Sequence, residues 1–138
     1  MLARGLDRNS ESSRPKPTAQ ANAAAPARMY RYHSLRAGER LTSYDRHTTL
    51  IMGSDGNLAL HNQNGVVWST HTIGKAPGGR AYLHASGRLD ILDINNNPVW
   101  TSGVQSSGGL ASLRLYSTGR LEIWAGERII WHTYTHTP

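Results

Sequence analysis

The chain has 138 residues, a formal net charge of +6 and no cysteine. That length suits one domain, and without cysteine there is no disulfide, no thiolate nucleophile and no cysteine metal site. No apolar run approaches the ~20 residues that a membrane-spanning helix needs.

Residues 1–28 differ in composition from the rest. Ser, Pro, Ala, Asn and Arg dominate, as in Arg14-Pro15-Lys16-Pro17, and five basic residues face two acidic ones. Such a stretch has too little apolar surface to fold alone. It reads as an extended, low-complexity basic arm ahead of a domain over residues 29–138. No apolar segment follows Met1, so the arm does not have the form of a secretory signal. This leaves the location open, with a virus particle and export without such a signal as the two alternatives.

Residues 29–48 read as two short strands. Tyr30 and Tyr32 alternate with Arg31 and His33, then Arg36, Ala37, Gly38 and Glu39 make a turn, and residues 41–48 form the next strand.

The stretch that follows recurs. Ser54-Asp55-Gly56-Asn57-Leu58-Ala59-Leu60-His61 has the outline of Ala85-Ser86-Gly87-Arg88-Leu89-Asp90-Ile91-Leu92 and of Ser117-Thr118-Gly119-Arg120-Leu121-Glu122-Ile123-Trp124, with the glycines 31 and 32 residues apart. A repeat of this length marks a fold assembled from like units, none of which buries its apolar face alone. Apolar residues stand four and six positions before each glycine (Met52 and Leu50, Leu83 and Ala81, Leu115 and Leu113) and two and four positions after it (Leu58 and Leu60, Leu89 and Ile91, Leu121 and Ile123). A period of two on both sides of a glycine turn predicts a β-hairpin with one buried face. Twelve or thirteen residues after each glycine ends a β-branched residue and a tryptophan, Val67-Trp68, Val99-Trp100 and Ile130-Trp131. Three copies around an axis place those indoles in a shared centre, where a large apolar ring with one N–H donor suits a small β core.

Between the copies come turn signals, Asn62-Gln63-Asn64-Gly65, Lys75-Ala76-Pro77-Gly78-Gly79, Asn95-Asn96-Asn97-Pro98 and Ser106-Ser107-Gly108-Gly109. No stretch has helical periodicity, so the fold class is all-β. The end of the chain, residues 129–138, is strand-forming throughout.

From Tyr30 onward the pattern resembles the bulb-type mannose-binding lectin family. The segment Leu35-Arg36-Ala37-Gly38-Glu39-Arg40-Leu41, the Gly-Asn-Leu of the first copy and the three Val/Ile-Trp pairs carry the resemblance. It implies a β-prism II fold, three four-stranded antiparallel sheets with pseudo-threefold symmetry. It also implies a sugar site in each copy with the pattern Gln-x-Asp-x-Asn-x-Val-x-Tyr. The polar residues of that pattern hydrogen-bond mannose hydroxyls, and its valine packs on the ring. Carried over, the first site is Gly53, Asp55, Asn57, Ala59 and His61, which keeps Asp55 and Asn57. The second would be His84, Ser86, Arg88, Asp90 and Leu92, and the third Tyr116, Thr118, Arg120, Glu122 and Trp124; neither keeps a family residue. Carbohydrate binding is therefore expected at Asp55, Asn57, Ala59 and His61 alone. In the family the last strand is often exchanged between protomers, which makes an oligomer an expectation for residues 129–138.

Catalysis finds no support. No Ser/His/Asp arrangement with a strained elbow and no phosphate-cradling glycine loop is present. His132 and His136, four apart on a strand, stand about 13 Å from each other and cannot share one ion. His61 and His84 read as solvated residues at pocket positions, and Asp90, Asp93 and Glu122 as solvated strand residues. Arg88 with Asp90, and Arg120 with Glu122, lie two apart on a strand and share a face, so each pair can form an ion pair in a former sugar pocket. The expectation is a non-enzyme without metal or cofactor. Its partner is a mannose-type glycan, or else neighbouring protein subunits of a virus particle or other large assembly gripped through residues 1–28. Nucleic-acid binding through the arm is the weaker third reading.

Overall fold

A computed structural model describes residues 26–133. Most of the basic arm, and the end of the chain with His136, lie outside the described residues. Among the described residues there are twelve strands and no helix. They are β1 (Ala27–Tyr30), β2 (Ser34–Arg36), β3 (Arg40–Thr42), β4 (Thr48–Met52), β5 (Leu58–Asn62), β6 (Gly65–Ser69), β7 (Arg80–Leu83), β8 (Leu89–Leu92), β9 (Pro98–Thr101), β10 (Ala111–Leu115), β11 (Leu121–Ala125) and β12 (Arg128–His132). These form three four-stranded antiparallel sheets, in the orders β1-β10-β11-β12, β2-β7-β8-β9 and β3-β4-β5-β6. This is the β-prism II architecture. Each copy of the repeat supplies three consecutive strands, and the segment before the repeats supplies one strand to every sheet.

That opening segment differs from its sequence reading. Residues 29–48 hold the end of β1, all of β2 and β3 and the first residue of β4, and β1 begins at Ala27, so Ala27 and Arg28 belong to the prism rather than to the arm. Between β1 and β2 the chain crosses from one sheet to the next. Arg31 N–H donates to Ala111 O at 3.1 Å and Tyr32 N–H to Leu83 O at 2.7 Å. The single strand expected over residues 41–48 is broken by a tight turn. Ser43 N–H bonds Thr48 O, the Ser43 hydroxyl and the His47 N–H both donate to Asp45 Oδ1, and Arg46 takes a φ of 66°. Ser and Asp side chains satisfy the backbone locally and so end a strand, which turns one expected strand into the hairpin β3–β4.

The repeated turn has the same geometry three times. Gly56, Gly87 and Gly119 take φ of 93°, 89° and 92°. Each donates its N–H to the residue three before it, Gly53 O, His84 O and Tyr116 O. Only glycine adopts that conformation without a steric penalty. At Gly56 a side chain has no room either, since a Cβ would stand 2.6 Å from the backbone of Ala76. A β-bulge follows at the same place in each copy, between Leu60 and His61, Ile91 and Leu92, and Ile123 and Trp124.

The closed core is aliphatic. Leu50, Met52, Leu58, Leu60, Leu83, Leu89, Ile91, Leu113, Leu115, Leu121 and Ile123 are fully buried, and all come from the period-two positions around the repeated glycines. Trp68, Trp100 and Trp131 meet as expected, edge to face, with ring centroids 5.7–6.1 Å apart. They are half-buried and pack against that core. The indoles therefore close the prism on one side, while leucines and isoleucines fill it. One further device repeats: a hydroxyl two residues after each tryptophan accepts the N–H of the first residue of the middle strand. Leu58 donates to Thr70 Oγ1 at 3.2 Å, Leu89 to Ser102 Oγ at 3.0 Å and Leu121 to Thr133 Oγ1 at 3.2 Å.

β12 pairs with β11 of its own chain up to His132. Strand exchange through residues 134–138 concerns residues outside the described ones.

Candidate functional site

The five pattern positions of each copy start at the repeated turn and run along the outer face of the sheet's middle strand. The three copies carry different chemistry there.

In the first copy the expected residues come together. Gly53, Asp55, Asn57, Ala59 and His61 line one shallow cavity of ≈ 200 Å³, with Ile51 and Val66 at its sides. Their positions are set by the turn. Asp55 Oδ1 accepts the N–H of Asn57 at 3.0 Å. Asn57 Oδ1 accepts the N–H of Thr72 at 3.0 Å and, more loosely, the hydroxyl of Thr70 at 3.4 Å. The loop beyond β6 wraps this turn: Thr72 Oγ1 donates to Gly56 O, Gly74 N–H to Asp55 O and Gly78 N–H to Ser54 O. Asn57 is thus fixed through its oxygen, and its amide N–H₂ group has no acceptor among the described residues. Asp55 is exposed, with one carboxylate oxygen committed to the turn and the other open to solvent. The site offers an acceptor from Asp55, a donor from Asn57, a donor or acceptor from His61, and the methyl of Ala59 as a small apolar floor. It has no wall at Gly53. A Cβ there would stand 2.6 Å from Asp55 Oδ1, so a larger residue at 53 obliges Asp55 to turn.

In the second copy the protein fills its own pocket. Asp90, only 3% exposed, bonds His84 Nε2 at 2.8 Å and Arg88 Nε at 3.2 Å. Arg88 also donates to Gln105 Oε1 at 3.3 Å, and the His84 ring stands edge to face against Tyr82. Burial pushes the Asp90 carboxyl up, but hydrogen bonds from Thr101, His84 and Arg88, together with the Arg88 charge, outweigh it and hold its pKa below the usual carboxylate value. In the third copy Arg120 pairs with Glu122, itself 7% exposed. Trp124 Nε1 donates to Glu122 Oε1 at 2.8 Å, and the Arg114 guanidinium lies 4.2 Å from the centroid of the Trp124 ring.

Both ion pairs expected from sequence are present. The expectation that His84, Asp90 and Glu122 are solvated is corrected: His84 is half-buried and both carboxylates are buried. The reason lies in neighbours that are distant along the chain, since Thr101, Gln105 and Arg114 close over them. Asp93 caps the β8–β9 turn instead, its Oδ1 accepting the N–H groups of Asn95 and Asn97 at 2.9 Å. Thr70 and Thr72, which hold Asn57 from behind, were missed in the sequence; a Trp-x-Ser/Thr repeat was the available signal for the first of them. No group of His, Asp or Glu able to hold a metal ion occurs among the described residues.

No family model matches the chain, and no curated protein does. Solved structures do match. A monomeric monocot mannose-binding lectin from Gastrodia elata superposes with a TM-score of 0.74 at 28% identity, over 80% of this chain and 99% of that one. The mannose-specific agglutinin from snowdrop (Galanthus nivalis) bulbs, complexed with methyl-α-D-mannoside, gives 0.68 at 27% identity over 81% and 99%. The mannose-specific bulb lectin of bluebell (Scilla campanulata) gives 0.66 at 28% identity over 80% and 99%. The prism, built of three hairpin copies around three tryptophans, thus gives this chain the fold of the bulb-type mannose-binding lectins.

Proposed function

We propose that this protein is a carbohydrate-binding lectin module whose working sugar site is the first copy alone, with weak affinity for a mannose-type glycan. One observation carries the reading. Asp55 and Asn57, the two retained polar residues, line an open cavity of ≈ 200 Å³, while the equivalent places in the other copies are filled by the protein's own ion pairs. The cavity is smaller than the roughly 300–1,000 Å³ of pockets that enclose drug-sized ligands and suits part of a single ring. Asp55 and Asn57 supply a paired acceptor and donor for adjacent hydroxyls. Neutral hydrogen bonds such as a glutamine and a tyrosine would add are worth about 0.5–1.5 kcal/mol each, so a site without the family's glutamine and tyrosine binds feebly. The proteins it resembles are described as mannose-specific or mannose-binding, which supports mannose as the first ligand to try.

Calorimetric or NMR titration with methyl-α-D-mannoside tests this. Weak binding is expected, with amide shifts confined to residues 53–61. Asn57→Asp keeps the oxygen that Thr72 needs and removes the donor, so it should abolish binding without unfolding the protein. The paired change Ala59→Val with His61→Tyr restores the family's apolar wall and phenol and should tighten binding at least tenfold. Absence of binding to any glycan by the protein and by that restored variant overturns the reading.

A second reading is favoured by the two filled pockets: a structural or decoration protein of a virus particle or other assembly, with its sugar sites lost and the basic arm as anchor. It predicts that removing residues 1–25, which leaves β1 whole, prevents incorporation into the assembly. Normal incorporation of the trimmed chain refutes it.

A further inference from the structure

Sheet β2-β7-β8-β9 sets Arg36 directly opposite Arg80 in the β2–β7 register. Like charges that face each other across a strand pair are destabilising. The internal symmetry shows what the same two positions hold elsewhere. They are Thr42 opposite Thr49 in one sheet, and Tyr30 opposite Ser112 in the other. The facing arginines are thus a feature of one sheet and not of the fold.

Among the described residues neither guanidinium is paired with a carboxylate. Arg80 turns to neutral acceptors, donating from Nη1 to Ser34 Oγ at 2.9 Å and from Nη2 to Asn96 Oδ1 at 3.1 Å, and it lies 5.0 Å from the centroid of the Tyr82 ring. Arg36 is exposed, and its guanidinium has no hydrogen bond or ion pair among the described residues. Both line a cavity of ≈ 370 Å³ beside the β8–β9 turn, together with Asp93, Ile94 and Asn96. Among the described residues that line it, Asp93 is the one carboxylate. Its Oδ1 is committed to two backbone N–H groups of the turn, and it makes no ion pair with either arginine.

We propose that this cavity binds a phosphate or sulfate group between Arg36 and Arg80. Guanidinium forks match the oxygens of such anions in a bidentate fashion, and an anion seated there relieves the repulsion between the facing charges. Arg80 is already held by Ser34, Asn96 and Tyr82, so little freedom is lost when it binds. The cavity volume falls within the range of ligand sites, at its low end, and leaves space beyond the anion. The expected ligand is therefore a phosphate or sulfate ester on a sugar ring, with the free ion as its minimal form. None of these residues belongs to the first copy's mannose site, so the two proposals stand or fall separately.

The test is an amide NMR titration of the full chain at constant ionic strength with inorganic phosphate, glucose 6-phosphate and glucose, for the native protein and for Arg36→Gln. Phosphate and glucose 6-phosphate should shift the amides of Arg36, Arg80 and Asn96, while glucose leaves them unmoved, and Arg36→Gln should weaken phosphate binding at least tenfold. Thermal unfolding gives a second readout. Without phosphate the variant should melt no lower than the native protein, because an exposed charge and its repulsion are removed. Added phosphate should raise the native melting temperature more than the variant's. The difference between the two cancels the general stabilisation that phosphate confers on proteins. Tighter binding of glucose 6-phosphate supports the ester, and tighter binding of inorganic phosphate supports the site as one for the free ion. Equal responses of native and variant protein, or shifts confined to other amides, overturn the site.

Discussion

Asp90 shows how one residue decides the fate of a pocket. At this position the family pattern has a valine that packs on the sugar ring; here a carboxylate draws His84 and Arg88 across the opening. Replacing it by asparagine keeps the volume and removes the charge. Hydrogen bonds to charged groups are worth about 1.5–3 kcal/mol, and Arg88 and His84 are exposed enough to recover water, so Asp90→Asn should cost about 1–2 kcal/mol at neutral pH. The sign of the pH effect follows from the lowered pKa of Asp90. A carboxylate whose folded value lies below its unfolded value of about 3.9 contributes stability above that value and loses it as pH falls through the folded value. Native and Asp90→Asn melting temperatures should therefore differ most at neutral pH and converge below about pH 4. A gap that stays constant down to pH 2 shows that the Asp90 charge does not stabilise the fold.

At the scale of the element, each copy is a hairpin whose glycine turn is locked by a hydroxyl from the segment after its third strand. Thr70 is buried, accepts the N–H of Leu58, shares a 2.7 Å hydrogen bond with Thr72 and reaches toward Asn57. Thr70→Val keeps the shape, strands the Leu58 N–H and loosens the back of the sugar site. An unsatisfied buried donor costs about 1–3 kcal/mol, so a loss of about 2 kcal/mol in denaturant unfolding is expected, with weaker binding at the first copy. The matching change at the surface, Thr118→Val, should cost under about 0.5 kcal/mol. The hairpins themselves were legible, because a period of two around a glycine has no competing interpretation. The turn between β3 and β4 was not: Ser43 and Asp45 end a strand through hydrogen bonds that an alternation pattern does not register.

For the whole molecule, the three sheets share one core, so the copies should not unfold one by one. Trp68 touches both other indoles. Such edge-to-face pairs add about 0.5–1.5 kcal/mol each to area burial, and full truncation of a buried aromatic costs about 3–5 kcal/mol. For the half-buried Trp68, Trp68→Ala should cost about 2–4 kcal/mol and leave a single cooperative transition, read from the fluorescence of the remaining tryptophans and from circular dichroism. Two separated transitions show that the copies are independent units.

By itself the sequence determined the all-β class, the threefold repeat, the meeting of the three tryptophans and the two Arg–carboxylate pairs. All of these rest on spacing along the chain, and residues two apart on a strand share a face in any β fold. Only the tertiary structure decided how deep those pairs are buried, that Thr72 secures Asn57, and that Arg36 faces Arg80 across a cavity. Each of these depends on strands brought together from distant parts of the chain, and their register is set by the closing of the prism, not by any local pattern.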